Sequence, residues 1–284
     1  MSELSTRVII SLVGAPLTIG LIYLGGWVLV AALGCIAGLG AWELFRMARA
    51  GGNEPLDAPG IVVAAAIPLL VHAAYLGIYR VTIPVIVVAF LALLASVIWL
   101  RGVERKPLVS FALTVAGIVY PALVVFMYPL RHHDYAVGAG AGTILVMFPI
   151  FLTWATDTGA YAFGRMFGKR KLIPSISPGK TVEGALGGLI LAAIIAWLYV
   201  MFLLKPYAQL TLLPAGIVLF AVAISVTAQV GDLAESLLKR DAGVKDSSAL
   251  LPGHGGILDR FDSLLFVLPV SYVLLGLLLL PAPA

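Results

Sequence analysis

The stretch Thr82-Ile-Pro-Val-Ile-Val-Val-Ala-Phe-Leu-Ala-Leu-Leu-Ala-Ser-Val-Ile-Trp-Leu100 contains no charged residue. As a helix it would be about 28 Å long at the standard rise, close to the thickness of a bilayer's hydrocarbon core. Similar runs recur on both sides of it, at 7–24, 27–44, 61–79, 108–128, 143–163, 182–204, 213–230 and 263–280. The chain is 61% hydrophobic and only 11% charged, too little polar surface to cover a soluble globule of 284 residues. The runs are continuous, whereas barrel strands alternate lipid-facing and lumen-facing residues. The expected fold is therefore all-α, a polytopic transmembrane helical bundle of about nine spans.

Basic residues set the orientation, because short cytoplasmic loops are enriched in Lys and Arg. With a cytosolic N-terminus and nine spans, only Arg80, Arg131 and Lys205, of 18 basic residues, fall on the opposite side. That segregation supports the N-terminus as cytosolic and the span count as odd. No small-residue cleavage site follows the first apolar run, so that run is expected to remain as a span. The single cysteine, Cys35, lies mid-span and reads as a small packing residue.

Acidic residues divide the chain. Before Asp134 they are sparse and are assigned to loops: Glu3, Glu43, Glu54, Asp57 and Glu104. From Asp157 to Asp262 there are eight of the 14 acids, several inside or against apolar runs, where an ionised carboxylate is costly unless it faces protein, water or a cation. Function is accordingly placed in the C-terminal half. The glycine-rich segment 138–142 reads as a flexible loop, since no strand precedes it as a phosphate cradle would require.

The loop from Ser236 to Asp262 concentrates the remaining chemistry. Continuing the eighth span as a helix, Gln229, Asp232, Ser236, Lys239 and Arg240 share an arc of about 100°, a polar stripe running from membrane depth into the cytosol. Further on, Pro252-Gly-His254-Gly255-Gly256 permits backbone conformations closed to other residues directly before Asp259 and Arg260. Such a turn can bring backbone N–H groups and a carboxylate to a phosphate and its metal. A second cluster runs from Asp157 through Lys180 to Glu183. There Thr153, Thr156, Asp157, Ala160 and Gly164 make a small and polar helix face.

Two familiar motifs fail. Pro-Gly-Lys-Thr at 178–181 resembles the end of a nucleotide-binding P-loop, but position 174, where that motif needs glycine, is Pro174. Ser236 and Lys239 have Ser-x-x-Lys spacing, without the companion motifs of the acyl-enzyme hydrolases. No His/Cys set suits zinc, since His132 and His133 fall on the opposite side from His254. What remains, hard carboxylate oxygens beside clustered cations, suits phosphoryl or nucleotidyl transfer with magnesium.

The pattern Ser236, Lys239-Arg240, Lys245-Asp246, His254-Gly255-Gly256, Asp259-Arg260 and Asp262 resembles the signature of the phosphatidate cytidylyltransferases (CDP-diacylglycerol synthases). The segment from Asp157 to Glu183 is similar to a second region of that family. The likeness covers about residues 140–284 well and the earlier spans by hydropathy alone. It implies attack by a phosphatidate phosphate oxygen on the α-phosphorus of CTP, giving CDP-diacylglycerol and pyrophosphate, with a divalent ion, usually Mg²⁺. It further implies Asp232 and Asp259 as metal ligands meeting around one cation, with Gln229 as neighbour, and Asp232, Asp259, Lys239, Arg240 and His254 as the catalytic set. Lys180, Ser236, Lys245, Asp246, Gly255, Gly256, Arg260 and Asp157 are the implied substrate-binding residues.

On this reading residues 1–135 are a scaffold, compatible with homodimer contacts, and residues 136–284 are the catalytic region, with cytosolic loops 164–181 and 231–262. The expected partners are CTP, phosphatidate and membrane lipids, with no nucleic acid. The expected location is the inner membrane, with the active site facing the cytosol. An ion- or proton-coupled transporter using Asp157 and Asp232 stays open as the alternative, as does a lipid-binding protein without catalysis. A CDP-alcohol phosphotransferase is disfavoured, because its Asp-Gly-x-x-Ala-Arg motif is absent.

Overall fold

The computed structural model describes residues 3–132, 135, 137–250 and 255–282. Each apolar run is helical. The first four spans are α1 (Glu3–Leu24), α2 (Gly26–Ala50), α3 (Asp57–Tyr75) and α4 (Ile83–Leu100). In the fifth, α5 (Pro107–Ala122) passes through one 3₁₀ turn into α6 (Met127–His132). Then come α7 (Ala139–Phe167), α8 (Val182–Tyr199) with a π-helical continuation over Val200–Ala208, α9 (Pro214–Asp241) and α10 (Leu258–Leu278). Among the described residues eight of these stretches are long and apolar enough to cross a membrane, and α1 holds a shorter apolar helix, Gly14–Leu24. The protein is thus an all-α polytopic bundle, and nine helical stretches correspond to the nine expected spans.

The helix ends depart from the apolar runs for local reasons. The third span stops at Tyr75 rather than position 79, because the chain turns at Gly77 with a φ of +74° that other residues rarely adopt. Helices α2, α7 and α9 run past their apolar segments to Ala50, Phe167 and Asp241, since a helix leaving the bilayer keeps its backbone bonds with polar residues. The segment after α7 is more ordered than a loop: β1 (Lys171–Ile173) pairs antiparallel with β2 (Ser177–Thr181). Further on, β3 (Leu210–Thr211) pairs with β4 (Leu280–Pro281).

The chain packs as two compact units interleaved in sequence, residues 1–25, 126–238 and 261–284 in one and residues 26–125 and 239–260 in the other. In the second unit α2, α3 and α5 close around Phe45, whose ring lies against the bare backbone of Gly60 and Gly117. The ion pair of Arg49 with Asp57 and a bond from Leu56 N to Thr114 Oγ1, 2.8 Å, fix the start of α3. Helix α4 packs through Phe90 on Phe111, ring centroids 5.1 Å apart, and otherwise exposes apolar side chains such as Ile98 and Trp99. Such a surface is stable only against lipid. Cys35 is exposed on α2, so its expected packing role is corrected: it sits on the outer side of the helix.

In the first unit, Arg131 is buried and donates from Nε to Ile22 O (2.7 Å) and from Nη2 to Tyr23 O (2.9 Å), capping the last carbonyls of α1. Stacked rings, Phe148 on Tyr199 and on Phe220, form the core between α7, α8 and α9. Helices α7 and α8 approach through glycines, so closely that a Cβ on Gly188 would sit 2.7 Å from Thr156 O. Gly188→Leu is therefore expected to force the two helices apart, costing about 1–3 kcal/mol in the manner of an overpacked core. A fall in the thermal midpoint of the detergent-solubilised protein checks this, and an unchanged midpoint would show that the helices re-space freely.

Candidate active site

In the first unit a cavity of about 580 Å³ opens between α7, α8, α9 and the β1–β2 hairpin. Its polar lining is Asp157, Tyr161 and Arg165 from α7, Lys180 and Thr181 from the hairpin, and Gln229 and Asp232 from α9. The local sequence explains how Lys180 comes to be held there. Thr181 caps α8, its hydroxyl accepting from Gly184 N at 3.1 Å. Glu183 in the first turn accepts from Lys169 N (3.0 Å), Arg170 N (3.1 Å) and Arg170 Nε (3.1 Å), tying the hairpin's entry to the helix. Lys180 thus projects from a strand end anchored on both sides.

Its ammonium lies 2.5 Å from Asp232 Oδ2, and Ser236 Oγ donates to Asp232 Oδ1 at 3.3 Å, one helical turn further along α9. Gln229, one turn before, is oriented through its nitrogen, which donates to Ala185 O (3.3 Å) and Ser225 Oγ (3.4 Å). Asp157 faces the same space and lies in the electrostatic field of Asp262, Asp232 and Lys180. Where α9 meets α10, Gly231 brings its backbone against Asp262 and Ser263. Several acids and one lysine are therefore gathered where surrounding helices are apolar, a setting that strengthens their interactions relative to water.

In the second unit the other half of the expected site is a knot around Asp259. Its Oδ1 accepts from Lys239 Nζ at 2.7 Å, and the pair is largely shielded, with side-chain exposures of 7% and 12%. Oδ2 accepts from Ser247 N (2.9 Å), Ser247 Oγ (2.8 Å) and Gly256 N (2.8 Å). Gly255 has a φ of +77°, and a Cβ there would stand 2.6 Å from Asp259 Oδ2, so the residue has to be glycine. Arg240 reaches Val244 O at 3.4 Å, while Lys245, Asp246 and Arg260 are exposed. His254 lies outside the described residues.

Of the sequence candidates, then, Asp157, Lys180, Gln229, Asp232 and Ser236 are gathered in one unit, and Lys239, Gly255, Gly256 and Asp259 in the other. The two carboxylates expected to share a cation each have a lysine of their own. Among the described residues no group of three or more His, Cys, Asp or Glu is arranged to hold a metal. The donor set still fits magnesium, which takes one or two carboxylates and completes its shell with water and substrate phosphates.

Sequence reading gave no role to Tyr161 and Arg165, which lie in the Asp157 cluster and are joined by a bond of 3.0 Å at helical spacing of four. It also placed Glu43 in a loop. That residue is inside α2 and fully buried.

Comparison with known proteins adds to this geometry. Residues 5–278 match the family described as the cytidylyltransferase family. A phosphatidate cytidylyltransferase of Bacillus subtilis is 32% identical over 284 residues, covering 98% of this chain and 99% of its own length. One from Haemophilus influenzae is 35% identical over 257 residues, 84% of this chain and 86% of its own. One from Staphylococcus aureus is 33% identical over 279 residues, 96% and 99% respectively.

Proposed function

The chain belongs to the cytidylyltransferase family, and we propose on that footing that it transfers the cytidylyl group of CTP to phosphatidate, forming CDP-diacylglycerol and releasing pyrophosphate. The observation that carries the reading is the cavity lined by Asp157, Lys180, Gln229 and Asp232 within a bundle of apolar helices. It offers hard oxygens and a cation where a lipid phosphate can arrive from the leaflet. The comparisons give the transporter alternative no support.

In the reaction an oxygen of the phosphatidate phosphate attacks the α-phosphorus of CTP, and the bond to the bridging oxygen of the departing pyrophosphate breaks. The nucleophile is already anionic, so no side chain has to be activated. What the protein must overcome is repulsion between two anionic substrates and the charge that grows on the leaving group. Lys180 serves this in the cavity, where binding of a phosphate would draw its ammonium from Asp232 toward the new anion. Lys239, Arg240, Lys245 and Arg260 are the cations proposed to face phosphates elsewhere on the signature segment, and Ser247 N and Gly256 N hold Asp259 as an anion beside them. Mg²⁺, when bound, would neutralise phosphate oxygens and pyrophosphate, and Asp232 with neighbouring Gln229, and Asp259, are the residues proposed to hold it.

The protein is a multi-pass membrane protein by its helices. We place it in the inner membrane with its N-terminus and these clusters on the cytosolic side, as the segregation of basic residues supports.

Purified protein in detergent, given phosphatidate, CTP labelled in the cytidine and Mg²⁺, is expected to yield labelled lipid and pyrophosphate in equal amounts. Neither product over several lipid and detergent conditions would sink the enzyme reading. Pyrophosphate without labelled lipid would replace it by CTP hydrolysis.

A further inference from the structure

We infer that Glu43 is a positioning residue, whose carboxylate ties residues 247–248 to residues 257–258 and thereby sets the pose of Asp259. The inference rests on the reading above, in which Asp259 takes part in the reaction. Glu43 projects from α2 and is completely buried. Its Oε1 accepts from Ser248 Oγ (2.6 Å) and Ile257 N (2.8 Å), and its Oε2 from Ser247 Oγ (3.0 Å) and Leu258 N (2.7 Å). The donors come in pairs from these two stretches, so one carboxylate clasps both. Two of them are N–H groups at the start of α10, which a carboxylate there satisfies.

The clasp and Asp259 are directly linked. Ser247 Oγ stands 3.0 Å from Glu43 Oε2 and 2.8 Å from Asp259 Oδ2, one hydroxyl between two carboxylates. Gly256 donates to Asp259, and a Cβ on it would collide with Ser247 Oγ and Glu43 Oε1. Burying a carboxylate is costly even when it is fully hydrogen-bonded, and a leucine would pack the end of α2 at less expense. The bonds described for Glu43 all go to the segment that carries Asp259. Its burial is therefore explained by what it holds rather than by the α2–α3–α5 packing.

Glu43→Gln keeps the size but leaves one acceptor oxygen, and turns N–H groups toward donors that have lost their partner. In the full chain in detergent, trypsin cleavage after exposed Lys245 is expected to accelerate at least tenfold. Cleavage after Lys169 or Arg170, ahead of β1 in the other unit, should stay at the wild-type rate. In turnover, the Mg²⁺ concentration for half-maximal rate should rise several-fold while KM for phosphatidate stays within twofold. Ser248→Ala, removing one donor of four, should shift both measures the same way by less. Equal acceleration at both trypsin sites would mean that Glu43→Gln has unfolded, and Ser248→Ala then decides: a change confined to Lys245 supports the clasp, and no change overturns it. An unaltered cleavage pattern, or a loosened segment with unaltered Mg²⁺ dependence, also overturns the inference. Because the protease measurement needs no turnover, a wild-type protein inactive with CTP would defeat the functional reading without deciding this one.

Discussion

Asp259→Asn is expected to lower turnover by three orders of magnitude or more while the protein remains folded. An asparagine keeps the shape, so the helix start and its neighbours need not move. It has one acceptor oxygen where Asp259 uses two, and whichever way the amide turns, an N–H faces either the Lys239 ammonium or the donors Ser247 N and Gly256 N. The Lys239–Asp259 pair is shielded from water, and removing one partner of such a pair costs about 3–5 kcal/mol because the other charge is left behind. If half of that falls on the transition state, the rate falls about tenfold to a hundredfold by the usual relation of barrier to rate. Loss of the anion proposed to hold Mg²⁺ is expected to supply the rest. Initial rates at saturating CTP and Mg²⁺, with size-exclusion and thermal unfolding as controls on folding, check the result. A folded variant within tenfold of wild type would remove Asp259 from the reaction.

The spans were legible because nothing but lipid tolerates runs such as 82–100, and continuous apolarity leaves helix as the answer. Their ends were less so. Helix α2 looked finished at Leu44 because its polar residues begin there, yet the helical backbone is satisfied from within and carries on to Ala50. Glu43 lies inside the run 27–44, and grouping it with the loop acids hid its bonds to residues 247–248 and 257–258. The partner of a buried carboxylate some two hundred residues away leaves no trace in spacing.

The site shows the same division. The signature residues announced themselves through glycines and charges out of place between apolar spans, and the α9 stripe from Gln229 to Ser236 followed from helical period alone. Pairing was beyond reach. Periodicity can put Asp232 on a face, but Lys180 meets it only because Thr181 caps α8 and Glu183 pins the β1–β2 hairpin, and a hairpin of so few residues is too short to stand out in sequence.

Lys180 and Asp232 are expected to behave as one unit in kinetics. At 2.5 Å the two charges neutralise each other in the resting cavity, so removing either leaves its partner uncompensated. Lys180→Ala should cost at least a hundredfold in kcat/KM for CTP, since the carboxylate left behind repels the triphosphate as well as losing its cation. Asp232→Ala should cost a comparable factor, in this case through weaker hold on the divalent ion. The double variant has neither charge to strand, so its loss is expected to stay near that of the worse single change instead of the product of the two. Non-additivity of that size is usual for residues that act together, and coupling energies of about 0.5–3 kcal/mol are typical for groups in contact. The pair is only partly shielded, with side-chain exposures of 27% and 32%, so its coupling should also shrink as salt is raised. Four proteins assayed side by side at low and high ionic strength close the cycle. Multiplicative losses at both would show that Lys180 and Asp232 act on different substrates or at different steps, and that their contact in the resting cavity has no part in the chemistry.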